Sequence, residues 1–140
     1  MQAAILQVKL KHLPIWTEKR RENAYLYNRY LMDSKIITPV EIVHVKAVYH
    51  LYVIRIVDGF RNGLKDYLNA NGISTGIHYP IALPNLKAYA YLNQKGIEYP
   101  VATKTTQEIL SLPLYPELPE SKIEYISGKI MEFNGLSKRY

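Results

Sequence analysis

Apolar residues in the first quarter of the chain recur at helical intervals. Between Gln2 and Leu13, the residues Ala3, Leu6, Leu10 and Leu13 share one stripe, which predicts an amphipathic helix. Pro14 breaks or restarts it, since proline fits a first helical turn but costs about 3 kcal/mol inside a helix. A second helix is predicted from Ile15 to Met32, with Trp16, Ala24, Tyr27 and Leu31 on one side and the charged run TEKRREN on the other. The segment DSKIITPVE, containing Pro39, then reads as a connector.

The periodicity changes after it. AVYHLYVIRIV, residues 47–57, is nearly all β-branched or aromatic with both alternating faces apolar, which predicts a strand covered on two sides. Asp58 and Gly59 end it. RNGLKDYLNANG predicts a helix with Phe60, Leu64, Tyr67 and Leu68 inward and Gly72 just past its end. ISTGIHY is the next predicted strand, and NLKAYAYLNQKG beyond it supplies one or two helical turns. Pro100 opens a helix over VATKTTQEIL, a short apolar strand follows at SLPL, and Pro119 begins a last helix. That helix has the stripe Ile123, Ile126, Ile130 and Phe133, and Gly135 is expected to stop it. The expected class is therefore α/β: a short mixed sheet flanked by helices, preceded by a long helical connection with no strand of its own.

A chain of 140 residues is one domain's worth, with 48% apolar and 21% charged residues, so it can bury a core and needs no disordered tail. The absence of cysteine excludes disulfides and thiolate metal sites and fits a reducing cytoplasm. The N-terminal run MQAAILQVKLKHLP carries lysines within its apolar residues and matches neither a signal peptide nor a membrane span. A net charge of +6 raises the question of nucleic acid. The basic residues answer against it: Lys9, Lys11, Lys19, Arg20 and Arg21 flank apolar helical positions, and the rest are scattered. Most of the 13 tyrosines fall at core-facing spacings rather than on a stacking platform.

Free-standing catalytic patterns are missing. His12, His44, His50 and His78 lack metal-ligand spacing, and no nucleophile elbow or phosphate-binding glycine loop occurs. His50, among apolar neighbours in a predicted strand, is expected to be a buried structural histidine; His12 and His44 are expected at the surface. His78 and Tyr79 differ, because they end a strand and begin a loop, where side chains escape the packing of an α/β sheet. Pro80 keeps Tyr79 extended, Pro84 stiffens the far side, and Gly76 removes a side chain nearby. Two roles fit these cues: a ligand-facing loop, or a structural corner with Tyr79 as filler.

The segments QAAILQVKLKHL, YHLYVIR, GISTGIHYPIALPNLKAY and YPVATKTTQEILSLPLYPEL, in that order and followed by the closing helix, resemble the C-terminal half of the DegT/DnrJ/EryC1/StrS sugar aminotransferases. The resemblance runs from Gln2 to about Phe133, and GIHYP and SLPLYPEL at their mutual spacing are its most specific parts. It implies a fold type I, pyridoxal 5'-phosphate-dependent transferase that moves an amino group, from glutamate as donor, onto a nucleotide-linked keto-sugar. It further implies a cytoplasmic homodimer in polysaccharide biosynthesis, with no nucleic-acid or membrane partner. IALPNLKAY is most similar to members acting on 6-deoxy keto-hexoses carried on a thymidine nucleotide.

On this resemblance, residues 1–35 would be the helical connection to a large cofactor domain absent from this chain, and residues 36–140 the small C-terminal domain. His78 and Tyr79 would be substrate-binding, offering hydrogen bonds to sugar hydroxyls or phosphate. The family's Schiff-base lysine, ring-nitrogen partner and main phosphate contacts would lie upstream of Met1, so no catalytic, cofactor-binding or metal-ligating residue is expected here. Transamination needs that lysine and an electron sink, so the chain alone is expected to be inactive. The alternative is a non-catalytic binding or assembly module that retains the fold. Borohydride reduction of a mixture with pyridoxal phosphate, read by mass spectrometry, should spread label thinly over surface lysines. Stoichiometric labelling of one lysine would show that a Schiff-base residue is present after all.

Overall fold

The computed structural model describes residues 1–32, 34–57, 59–93 and 98–137, the last three by their backbone alone. Among the described residues, five α-helices and two strands follow one another as α1 (Gln2–Leu10), α2 (Leu13–Tyr30), β1 (Tyr52–Arg55), α3 (Arg61–Ala70), α4 (Pro100–Glu108), β2 (Ile109–Leu112) and α5 (Glu120–Ser137). Among the described residues, 3-10 turns at Leu83–Asn85 and Lys87–Leu92 lie between α3 and α4. The class is the α/β one expected. Asp58, and Gln94, Lys95 and Gly96 of the segment NQKG, lie outside the described residues.

The sheet is narrow, and every pairing among the described residues is antiparallel. β1 and β2 run Tyr52 opposite Leu112, Val53 opposite Ser111, Ile54 opposite Leu110 and Arg55 opposite Ile109. Ile37 bridges the free side of β1 at Arg55, and Gly76 bridges the free side of β2 at Ser111. The strand expected over residues 47–57 is thus reduced to four residues. Its partner is what runs out: the residue after Leu112 is Pro113, which has no N–H to offer a ladder. The backbone upstream leaves the extended region, with φ of 71° at His44 and 46° at Tyr49. His50 is therefore exposed in a bend rather than buried in a strand, while His12 and His44 are exposed as expected. The strand expected at ISTGIHY contracts in the same way, to the single bridge at Gly76.

α2, α3 and α5 cover this ladder. Ala24, Tyr27, Leu31, Tyr52, Ile54, Leu64, Leu68, Leu110, Ile123, Ile126 and Ile130 form one buried cluster, with Tyr67 and Phe133 packed against its edge. Tyr27 stacks on Tyr52 with ring centroids 4.8 Å apart, joining α2 to β1. The Tyr27 hydroxyl donates to the Pro113 carbonyl at 2.9 Å, and the Tyr52 hydroxyl to Asn28 Oδ1 at 2.6 Å. Burial pushes both phenols well above their ordinary pKa. Glu108, buried at the end of α4, accepts from Arg55 Nε and Nη2 at 3.1 and 2.7 Å, so its charge is paired where the strand begins.

Helix ends follow local chemistry. Pro14 and Pro100 sit in the first turns of α2 and α4. α3 stops where Gly72 takes φ of 74°; Gly72 N–H donates to Asn69 and Ile73 N–H to Leu68, the paired closure that a left-handed glycine permits. Phe60, expected inward, is the exposed residue preceding α3. Gly135 does not stop α5, which continues to Ser137.

The N-terminal stripe finds no covering surface. No residue of α1 is buried, so its stripe of Ala3, Leu6 and Leu10 faces outward, as does Leu13. Trp16 is half-buried. Among the described tyrosines only Tyr27 and Tyr52 are buried, because most of the others sit in loops or on outer helix faces. No described helix is long and apolar enough to cross a membrane. Two substitutions separate core from bystander. Ile54→Ala, at a fully buried position, should cost roughly 2–5 kcal/mol in chemical denaturation. Leu6→Ala, 64% exposed on α1, should change stability by no more than about 0.5 kcal/mol.

Candidate functional site

The loop after Gly76 leaves the sheet at its β2 edge. Gly76 and Ser111 exchange two backbone hydrogen bonds, of 3.1 and 2.7 Å, and the chain then turns outward through His78 and Tyr79, whose shared peptide bond is cis. The His78 ring folds back over Gly76. A Cβ built at residue 76 would lie 2.5 Å from His78 Cε1, so only glycine leaves room for the imidazole in this position. His78 Nδ1 lies 2.9 Å from Ser111 Oγ. Tyr79 is 73% exposed, its ring edge-on to that of His78 at 5.8 Å.

The two residues named from sequence are therefore neighbours with different surroundings. Tyr79 lines the mouth of a cleft of about 700 Å³, together with Ile81, Leu83, Tyr89, Tyr99 and Ile109 among others. His78 is not part of that wall; it stands over the sheet edge. Asn85 Nδ2 donates to Thr103 Oγ1 at 3.2 Å, tying the proline-bounded loop to α4. The lining is apolar apart from phenols and the hydroxyls of Thr105 and Thr106. Among the described residues it contains no lysine and no carboxylate. These residues do not fit pyridoxal phosphate, which needs an amine for its aldehyde and an acid for its ring nitrogen. No three described His, Asp or Glu residues are grouped to hold a metal.

A second cleft, of about 450 Å³, lies between α2 and the segment before β1, lined by Arg21, Tyr25, Asn28, Met32, Glu41 and Tyr49 among others. Arg21 donates to the Ala47 carbonyl at 2.6 Å and pairs with Glu41 at 3.0 Å. Glu41 also accepts from Ala47 N–H and the Tyr49 hydroxyl. Its two carboxylate oxygens are thus already committed, and the cluster acts as a clasp on residues 41–49.

Sequence reasoning overlooked Ser111 and this clasp. A serine among apolar residues is all that the sequence offered for the first, and its role depends on the bridge to Gly76. Nothing in the sequence signals a pairing between residues 21 and 41.

With the geometry described, similarity to known proteins decides the class. The model of the DegT/DnrJ/EryC1/StrS aminotransferase family matches residues 1–131. This chain belongs to that family. It is 41% identical over 136 residues to a protein of Geobacillus stearothermophilus named pleiotropic regulatory protein, covering 95% of this chain and 36% of the relative. To the dTDP-3-amino-3,6-dideoxy-alpha-D-galactopyranose transaminase of Aneurinibacillus thermoaerophilus it is 32% identical over 126 residues, covering 90% of this chain and 34% of that enzyme. The crystal structure of S. venezuelae DesV in complex with a ketimine intermediate matches with a TM-score of 0.89 at 31% identity, covering 96% of this chain and 36% of that one. The fold is that of the sugar aminotransferases, and the chain spans about a third of the length of the relatives it matches.

The clasp generates a pH test. The hydrogen bond from Arg21 holds the Glu41 carboxyl below its usual range, with Ala47 N–H and the Tyr49 hydroxyl acting in the same direction. A depressed carboxyl contributes stability that is full above the unfolded value of about 4.3 and is lost as pH falls through the folded value. Wild type should therefore melt above Glu41→Gln at pH 7, and the gap should close in more acidic buffer. A gap that persists unchanged at about pH 2 would show that the carboxylate charge is not what holds the clasp.

Proposed function

We propose that this chain forms the small C-terminal part of a pyridoxal 5'-phosphate-dependent aminotransferase that aminates a nucleotide-linked keto-sugar, with glutamate as donor. The family match across residues 1–131 carries this reading. The named activity of the Aneurinibacillus relative supports a thymidine nucleotide as the carrier. In this reading residues 1–35 connect to a large cofactor domain, residues 36–140 shape the substrate side, and the working enzyme is a cytoplasmic homodimer serving polysaccharide biosynthesis. The cofactor would be held by residues outside this chain. By itself the chain would then be inactive.

His78 and Tyr79 are the substrate-facing residues in this proposal. The Tyr79 phenol stands at the mouth of an apolar cleft beside an exposed imidazole, so the pair combines an aromatic face with two hydrogen-bonding groups. Such a combination suits a deoxy-sugar, which has both apolar and hydroxyl-bearing edges.

A second reading, a non-catalytic binding or assembly module, is favoured by one observation: the relative at 41% identity carries the name of a regulatory protein rather than an enzyme. The pyridoxal phosphate labelling described above does not divide the two. Kinetics of a complete enzyme that carries this chain does. His78→Ala and Tyr79→Phe should lower kcat/KM for the nucleotide-sugar by a few-fold to about a hundredfold, the range for one lost hydrogen bond of roughly 0.5–3 kcal/mol. The half-reaction with glutamate should change less. Wild-type kinetics in both variants, accompanied by lower thermal stability, would make the loop a structural corner and defeat the assignment.

A further inference from the structure

Ser111 is the one polar residue of β2, and it is only 4% exposed. Its backbone is engaged with Gly76 in both directions. Its hydroxyl has a single hydrogen-bond partner among the described residues, His78 Nδ1 at 2.9 Å. A neutral imidazole carries one N–H and one bare nitrogen, and a serine hydroxyl carries one proton to donate. With the imidazole proton on Nδ1, that nitrogen would donate to Oγ, and the serine proton would be left without an acceptor in a buried place. With Nδ1 bare, the hydroxyl donates to it and both groups are satisfied, which avoids the penalty of a stranded buried donor.

We infer that Ser111 is a positioning residue that fixes neutral His78 in the form protonated at Nε2, so that the loop presents a hydrogen-bond donor and recognises an acceptor oxygen. Gly76 is part of the device. A Cβ there would lie 2.5 Å from Cε1 and 3.2 Å from Nδ1, displacing the ring from Ser111. Among the described residues Nε2 has no hydrogen-bond partner, and His78 is exposed, so this nitrogen is free to bind. The chemistry selected is a carbonyl or phosphate oxygen; a partner that can only donate is refused. That last step rests on the ligand-facing role proposed for the loop, whereas the tautomer itself does not.

Long-range proton–nitrogen NMR correlation on the 140-residue chain reads each imidazole nitrogen as bare or protonated. It is recorded at about pH 8.5, two units above the ordinary imidazole value. His78→Gln assigns the resonances, and exposed His44 supplies the pattern of an unconstrained ring. The expected result is one form of His78, bare at Nδ1 and protonated at Nε2. Ser111→Ala should relax it to the mixed pattern of His44, and Ser111→Thr, which keeps the hydroxyl, should restore the single form. If the alanine variant does not fold, Gly76→Ala should give the same relaxation by displacing the ring. A protonated Nδ1 in the wild type, a His44-like mixture there, or a pattern unchanged in Ser111→Ala or its Gly76→Ala substitute would overturn the inference. The two failures are distinguishable. Unaltered nucleotide-sugar kinetics in His78→Ala, with the tautomer as expected, defeats only the ligand role; a wrong tautomer with altered kinetics defeats only the positioning.

Discussion

The stack of Tyr27 on Tyr52 is the contact on which the rest of the molecule is hung. It presses α2 onto β1, and an aromatic pair of this kind contributes about 0.5–1.5 kcal/mol beyond its buried area. Its larger effect is positional. The Tyr27 hydroxyl captures the carbonyl of Pro113, the residue at which β2 can no longer pair. The end of β2 is thereby fixed against α2, Ser111 is fixed two residues before it, and Gly76 is fixed by its two bonds to Ser111. The loop bearing His78 and Tyr79 starts from that point. A helix–sheet contact thus sets the origin of a surface loop more than twenty residues away in sequence from either ring.

Where local rules dominate, the sequence read correctly. The stop of α3 at Gly72 needs only a residue free to adopt positive φ, and the starts of α2 and α4 need only a proline in a first turn. The stripe Ile123, Ile126 and Ile130 is buried because α5 meets both α2 and α3. Strand length was illegible for a different reason. Residues 47–51 have every local qualification for a strand, but a strand also requires a partner, and β2 supplies four residues before Pro113. The same limit on partners turned ISTGIHY into a single bridge and left His50 in water. Gly135 shows the converse, since a glycine inside a helix costs only about 1 kcal/mol relative to alanine and does not by itself end it.

The candidate site divides along the same line. His78 and Tyr79 stood out because imidazole, phenol and two prolines crowd a loop at a strand's end. What the sequence did not hold was their separation, with Tyr79 on the cleft wall and His78 over the sheet edge, since that depends on which strand Gly76 meets. Ser111 became visible only with the bridge in place. The Arg21–Glu41 clasp joins a helix to a connector of irregular backbone, and no periodicity links two such positions.

α1 has a consequence of another kind. Nine residues are too few for a helix to persist in water by propensity, for which roughly 12–15 are needed even in favourable sequences. α1 buries nothing, so tertiary packing does not make up the shortfall. Its order is borrowed from α2, to which it is joined by the turn at Lys11 and His12. On the timescale of hydrogen exchange the chain is then two materials. The amides of α1 open at little cost, while those around Tyr27 and Leu31 wait for the whole core to open. Any surface that covers α1 therefore supplies its order as well as an apolar contact.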